Sequence, residues 1–222
     1  MSDATPRRIF VAGSTGATGR TLMRLASERG LGDRVVPHLR PRGPATRSAS
    51  PPDGAIVLDL ADAEGLATAL PGFTTVVQLI GTMRKRFAAG DTYESSDIGT
   101  TRELVAAAVR AGVDHVVLLS SVGAGKPMGA YLQAKARAEA IVQQSGLAYT
   151  IFRPSAFYGE GHRGIPGAKT VLSALGWRRY EPIAVDALAA AILHVALTRA
   201  PLGVALEGQP LWSVVEAAGA HR

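Results

Sequence analysis

The stretch VAGSTGATGR, residues 11–20, decides the reading of the fold. Gly13, Gly16 and Gly19 recur every third residue between a short apolar run, RIFVA (8–12), and an amphipathic pattern over 17–29. A bare turn needs one glycine. Three at a strand-to-helix corner mark a backbone built to approach something: Gly13 permits the tight turn, Gly16 the close approach, and Gly19 the packing of helix on sheet. The helix that follows offers unpaired N–H groups and partial positive charge to a pyrophosphate. The spacing is G-x-x-G-x-x-G, not the G-x-G-x-x-G of the dehydrogenase fingerprint. Its position in the first strand-helix unit favours a dinucleotide cradle over a plain turn.

Outward from this corner, β-rich runs alternate with helical patterns. RVVPHL (34–39), AIVLDL (55–60), TVVQLIG (75–81), HVVLLSS (115–121) and AYTIFRP (148–154) read as strands. Helices are expected over 62–69, 92–111, 130–145, 185–198 and 211–219. Runs apolar on both faces, separated by helices, imply a parallel sheet covered on both sides. The expected fold class is α/β, a doubly wound parallel sheet of the Rossmann type in a single domain over 1–222. Its cofactor-binding core spans about 8–160, followed by a small substrate-side region over 161–222. Pro37 inside the second run predicts a short strand or a bulge, and Pro41, Pro44, Pro51 and Pro52 mark a loop over 41–54.

Composition narrows the function. In 222 residues, 47% hydrophobic, no apolar run reaches the roughly 18 residues of a membrane span. No membrane association is expected, and the N-terminal MSDATPRRIFV has no apolar signal core, so the expected location is cytoplasmic. The absence of cysteine excludes disulfides, thiolate metal sites and thiol catalysis. Five scattered histidines lack ligand spacing, so no metal is expected. The net charge of +6 comes partly from two short clusters, RPRGPATR (40–47) and MRKRF (83–87). Such clusters suit small anionic ligands or plain solvation better than nucleic acid, and none is expected as a partner.

Nucleotide choice turns on the end of the second strand, which reads His38, Leu39, Arg40, Pro41, Arg42. No carboxylate is present to accept from a ribose 2′-hydroxyl, and two guanidiniums are available to grip a 2′-phosphate, so NADP is expected over NAD. The same arginines could simply solvate a loop. Asp59 is a candidate acceptor for the adenine amino group with Leu60 packing on the ring, or else a helix cap, a role Asp62 fills equally well. Glu160 and His162, in FYGEGHRG (157–164), are candidate substrate contacts or solvated loop residues.

A second constellation lies in LLSSVGAGKPMGAYLQAKARAEAIV. Ser120 and Ser121 end a strand, and ten residues after Ser121 a helix opens with Tyr131 and Lys135, which share one face at i, i+4. A free phenol titrates at about pH 10 and a cation beside it favours the phenolate. Such a pair can exchange protons near neutrality, with a serine hydroxyl holding a carbonyl or alcohol oxygen in line.

With these residues the sequence resembles the short-chain dehydrogenase/reductases, in their atypical subgroup. FVAGSTGATGR is similar to the subgroup's cofactor motif, LLSSVGAGK with YLQAKARAE to its serine and Tyr-Lys segment, and YTIFRPSAFYGEG to its following strand and loop. The serine and Tyr-Lys strings resemble the NmrA-like and Tat-interacting-protein-type oxidoreductases in particular. The resemblance covers about residues 8–160. It implies that Gly13, Ser14, Thr15, Gly16, Ala17 and Thr18 hold the pyrophosphate and Arg40 the 2′-phosphate. Asp59 and Leu60 would hold the adenine, and Ile80 and Gly81 would line the ribose. Ser120 would lie beside the nicotinamide, with Ser121 the catalytic serine, Tyr131 the proton carrier, and Lys135 the partner of both Tyr131 and the ribose hydroxyls. Pro154, Ser155 and Phe157 would border the nicotinamide end. Asp97 departs from the pattern, standing where many extended relatives carry asparagine.

The expected function is an NADP-dependent oxidoreductase acting on a small carbonyl, alcohol or quinone-like molecule, as a monomer or homodimer. The alternative is a non-catalytic NADP(H)-binding sensor, regulator or assembly factor. An open cavity beside Tyr131 would favour the enzyme and a filled one the sensor.

Overall fold

The computed structural model describes residues 7–41, 51–81, 92–159 and 177–220. The chain enters through β1 (Ile9–Ala12), turns into α1 (Ala17–Glu28), and continues through β2 (Val35–Leu39), β3 (Ile56–Val57), α2 (Ala63–Ala69) and β4 (Thr75–Gln78). After a π-helical turn (Tyr93–Gly99) come α3 (Thr100–Arg110), β5 (His115–Leu119), α4 (Gly129–Gln143), β6 (Ala148–Phe152) and β7 (Phe157–Tyr158). A 3-10 turn (Arg178–Tyr180), β8 (Ile183–Ala184), α5 (Val185–Thr198), β9 (Val204–Leu206) and α6 (Gln209–Ala220) complete it.

Seven strands form one sheet in the order β3-β2-β1-β4-β5-β6-β9, and every pairing in it is parallel. This is the doubly wound α/β fold, with the strand order reversing between β1 and β4. Alternation along each strand sends residues to opposite faces. Ile9 and Val11, with Val77, Val117 and Phe152, pack in the core with Leu22 of α1 and Leu188 and Ile192 of α5. Phe10, Ala12 and Val76 pack with Leu66 of α2 and Leu104 of α3, while Val116, Leu118 and Ile151 meet Val142 of α4. Burial on both faces is what makes these strands continuous apolar runs in the sequence.

Three differences from the sequence-based expectations have physical causes. Pro37 lies within a regular β2, aligned with Val11. Pairing with β3 begins only at His38, so the proline's missing N–H falls beside an open part of the ladder. The third strand is two residues long; the Leu58 N–H still donates to the Leu39 carbonyl at 3.2 Å, and Asp59 and Leu60 then leave the ladder as the chain turns toward α2, with Asp62 accepting from the Gly65 N–H at 2.9 Å as its cap. The helix expected over 92–111 opens as a π-helical turn, started by Thr92 and Ser95, each of which bonds the other's backbone N–H. The short β7–β8 sheet and β9 are too brief to read as strands from periodicity.

Candidate functional site

The corner between β1 and α1 is built around glycine. Gly13 has φ +86°, and a Cβ there would stand 2.9 Å from the backbone carbon of Leu79. A Cβ on Gly19 would run into the Gly13 carbonyl and stand 2.7 Å from Ser14 Cα. Gly16 is less confined, its nearest neighbour being the Gly13 oxygen at 3.4 Å, so its bareness serves the cleft rather than the fold. Gly16 is also the N-cap of α1, without a side-chain cap or an acidic residue in the first turn. The positive end of α1 is thus left for a ligand.

Two clefts meet at this corner. One, of about 270 Å³, is lined by Gly13, Thr15, Gly16, His38, Arg40, Asp59, Leu60, Leu79, Ile80, Gly81 and Thr100. The other, of about 550 Å³, is lined by Gly13, Gly16, Ala17, Thr18, Gly19, Leu79, Gly81, Tyr93, Leu119, Ser120, Tyr131, Lys135 and Phe157. They share Gly13, Gly16, Leu79 and Gly81, so together they make a continuous trough across the helix N-terminus at the point where strand order reverses. Its two ends differ in chemistry, with Arg40, Asp59 and Leu60 at one and Tyr131 and Lys135 at the other.

In the first cleft, Asp59 accepts from the Ala61 N–H at 3.0 Å. His38 is buried, its Nε2–H donating to the Leu58 carbonyl at 2.8 Å. Burial holds its imidazole below the usual histidine range, and Arg40 pushes the same way against the raising effect of the Leu58 bond. The ring facing the first cleft is therefore neutral at physiological pH.

In the second cleft, Lys135 is buried, with its ammonium 2.9 Å from Asp97 Oδ1 and 3.4 Å from the Leu119 carbonyl. Nζ lies 6.0 Å from the ring centroid of Tyr131, whose side of α4 opens to solvent with 39% exposure. Tyr93, on the π-helical turn, faces Tyr131 at 5.9 Å between centroids. Ser120 lines the cleft, but its hydroxyl donates to Glu139 Oε1 at 2.5 Å. Glu139 is held in turn by Arg153 through Nε at 2.9 Å and a second nitrogen at 2.5 Å. Those bonds raise the Arg153 guanidinium above its usual range against the effect of burial.

Of the residues singled out in the sequence, Ser14, Ser121, Pro154 and Ser155 do not line either cleft. Ser14 donates to the His38 carbonyl at 2.6 Å, tying the corner to β2. Ser121 makes a marginal 3.5 Å contact with the Val122 carbonyl. Pro154 accepts from the Val122 N–H at 2.9 Å and Ser155 donates to the Glu181 carbonyl at 2.5 Å, both shaping the loop before β7. Arg42, the MRKRF cluster, Glu160 and His162 lie outside the described residues. Sequence reasoning missed Tyr93, Leu79, Leu119 and Thr100. Tyr93 did leave a signal, four residues before Asp97 on the element that opens α3. Among the described residues no cluster suited to a metal occurs, and no helix is long and apolar enough to cross a membrane.

A family model described as NAD(P)H-binding matches residues 13–198. The chain is 30% identical over 125 residues to the N-acetyl-alpha-D-glucosaminyl-diphospho-ditrans,octacis-undecaprenol 4-epimerase of Escherichia coli O157:H7, a match covering 48% of this chain and 38% of that protein. It is 30% identical over 154 residues to the mitochondrial protein FMP52 of Debaryomyces hansenii, covering 68% of this chain and 67% of that one. The chain thus spans well under half of the bacterial epimerase and about two thirds of the yeast protein. Among solved structures, the oxidoreductase ylbE from Lactococcus lactis superposes with a TM-score of 0.65 at 20% identity, over 96% of this chain and 97% of that one. With a glycine-built trough across the switch point of its sheet, and with the family model covering most of its length, this chain belongs to the NAD(P)H-binding family, in keeping with the atypical short-chain dehydrogenase/reductase pattern of its motifs.

Proposed function

We propose that this protein is an NADP-dependent oxidoreductase that moves a hydride between the nicotinamide and a small carbonyl, alcohol or quinone-like substrate. The observation that carries this reading is the open cleft of about 550 Å³ with Tyr131 at its edge and a buried ammonium behind it, contiguous with the glycine corner. When bound, the cofactor supplies or accepts the hydride at its nicotinamide ring. The backbone of Gly13 to Thr18 would hold the pyrophosphate at the N-terminus of α1, and Arg40 the 2′-phosphate. Lys135 would donate to the nicotinamide ribose hydroxyls. In carbonyl reduction, Tyr131 would give its phenolic proton to the substrate oxygen, and the Lys135 ammonium, 6.0 Å from its ring, would stabilise the phenolate left behind. Ser121 would turn from its marginal contact to hold that oxygen. Tyr93 and Phe157, which also line this cleft, would add aromatic surface against the substrate.

The mechanism predicts that Tyr131→Phe lowers kcat by about a hundredfold or more while changing NADPH affinity less than about twofold. Steady-state kinetics with a carbonyl panel and calorimetric titration check the two halves, and undiminished turnover in this variant would falsify the assignment. For the 2′-phosphate, Arg40→Ala should weaken NADPH binding by about tenfold or more and leave NADH binding nearly unchanged. An equal loss for both nucleotides refutes the NADP preference.

One observation favours the alternative reading, a non-catalytic NADP(H) sensor or regulator. Neither serine hydroxyl is presented to the cleft: Ser120 is bonded to Glu139, and Ser121 does not line the cleft. A protein that binds NADPH tightly, yet oxidises none of it with any of the carbonyl and quinone panel, would be read as a sensor.

A further inference from the structure

The ammonium of Lys135 has a resident counter-charge. Asp97 Oδ1 lies 2.9 Å from Nζ, and the two side chains are 1% and 7% exposed. The surroundings are shaped for this pair. Asp97 is carried on the buried side of the π-helical turn, whose backbone is pinned where Thr101 Oγ1 donates to the Asp97 carbonyl at 2.6 Å. Across from it, a Cβ on Gly81 would stand 2.9 Å from Lys135 Nζ and 3.6 Å from Asp97 Oδ1, so the bare glycine lets the ammonium sit where it does.

Such a pair is costly to bury, and its attraction has to offset the desolvation of both ions. It also changes what the neighbouring trough feels. A lone buried ammonium projects a full positive charge, whereas an ammonium 2.9 Å from a carboxylate projects the weaker field of a dipole. The difference bears on the nicotinamide, which is positively charged when oxidised and neutral when reduced. The trough places that half of a dinucleotide at Tyr131 and Lys135 when the adenosine half lies by Arg40. A bare ammonium there repels the oxidised ring and leaves the reduced ring almost untouched.

We propose that Asp97 is a positioning residue that neutralises Lys135 and thereby sets how tightly the site holds oxidised relative to reduced nicotinamide cofactor. This rests on the nicotinamide reading of the cleft, but not on turnover. Asp97 thus tunes whether the protein rests with NADP⁺ or with NADPH, which matters equally to an enzyme and to a sensor.

The test is calorimetric titration of the full chain with NADP⁺ and, separately, NADPH, for wild type, Asp97→Asn, Lys135→Met and the double variant, with a thermal melt of each. In Asp97→Asn the Kd for NADP⁺ should rise about tenfold and that for NADPH less than about twofold. Lys135→Met, which leaves the carboxylate alone, should shift the ratio of the two constants the opposite way. The double variant, free of both charges, should return the ratio to within about twofold of wild type. Equal changes for both nucleotides in Asp97→Asn, or an unmoved ratio, reduce Asp97 to a structural role and overturn the proposal. Should Asp97→Asn fail to fold, Lys135→Met against the double variant decides, and identical ratios in those two overturn it. Wild type that binds neither nucleotide removes the cofactor reading and this inference together. Wild type that binds both without turnover removes only the catalytic reading, and the comparison of ratios stands.

Discussion

Gly16 and Gly19 separate two jobs that look alike in the motif. Gly19 is enclosed by the backbone of Gly13 and Ser14, so Gly19→Ala must push α1 off the sheet and should destabilise the protein by several kcal/mol. Gly16 has ordinary contact distance to its one close neighbour and faces both clefts. Gly16→Ala should therefore melt within a few degrees of wild type and yet lose about tenfold or more in nucleotide affinity, because its methyl occupies the approach to the helix N-terminus. Melting and titration of the two variants side by side check this, and a Gly16→Ala protein that binds NADPH normally would dismiss the close-approach role. The first glycine's left-handed φ and the crowding at Gly19 were both foreseeable from the spacing. The partner of Lys135 was not, since Asp97 lies 38 positions earlier in the chain and only packing of the π-helical turn against α4 brings the two together.

At the scale of elements, α4 does more than present Tyr131. Its fourth turn carries Glu139, 3% exposed, which joins Ser120 after β5 to Arg153 after β6. Arg153 also reaches Glu207, 3.5 Å away beyond β9, and Glu207 pairs with Arg179 of the 3-10 turn. Glu139→Ala would leave the half-buried Arg153 guanidinium with only its longer contact to Glu207, and the buried Ser120 hydroxyl without its acceptor. The cost should be about 3 to 5 kcal/mol, a drop in Tm of roughly 10 °C. Arg153→Met in the same background should recover part of it, because the uncompensated charge is then gone. Scanning calorimetry reads both, and a Glu139→Ala protein that melts like wild type would mean that the network contributes nothing net. None of this was legible in AKARAEA, where Glu139 reads as one more polar residue on an amphipathic helix.

For the molecule as a whole, acid stability is written into His115. Its ring is fully buried at the start of β5, with Nε2 3.1 Å from Thr150 Oγ1 and no hydrogen-bond partner for Nδ1 among the described residues. Burial, aided by Arg199 and Arg7, lowers its pKa to about 4. The unfolded chain, with an ordinary histidine near 6.5, binds the proton first, so the neutral ring's contribution is fully present above about pH 6.5 and is lost as pH falls toward 4. The loss amounts to about 3 kcal/mol. Denaturant titrations from pH 7 to pH 4 should show this limb in wild type and a flatter one in His115→Gln, and parallel curves would remove His115 as its source. The sequence by itself determined the doubly wound sheet, the glycine corner and the Tyr-Lys face of α4, because each follows from local periodicity or from spacing within a single element. Tertiary structure alone decided which serine hydroxyl is already bonded, that Tyr93 shares the cleft with Tyr131, and that Lys135 is balanced by Asp97. These are contacts between elements distant in the chain, created by the packing of helices on the sheet, and no local pattern records them.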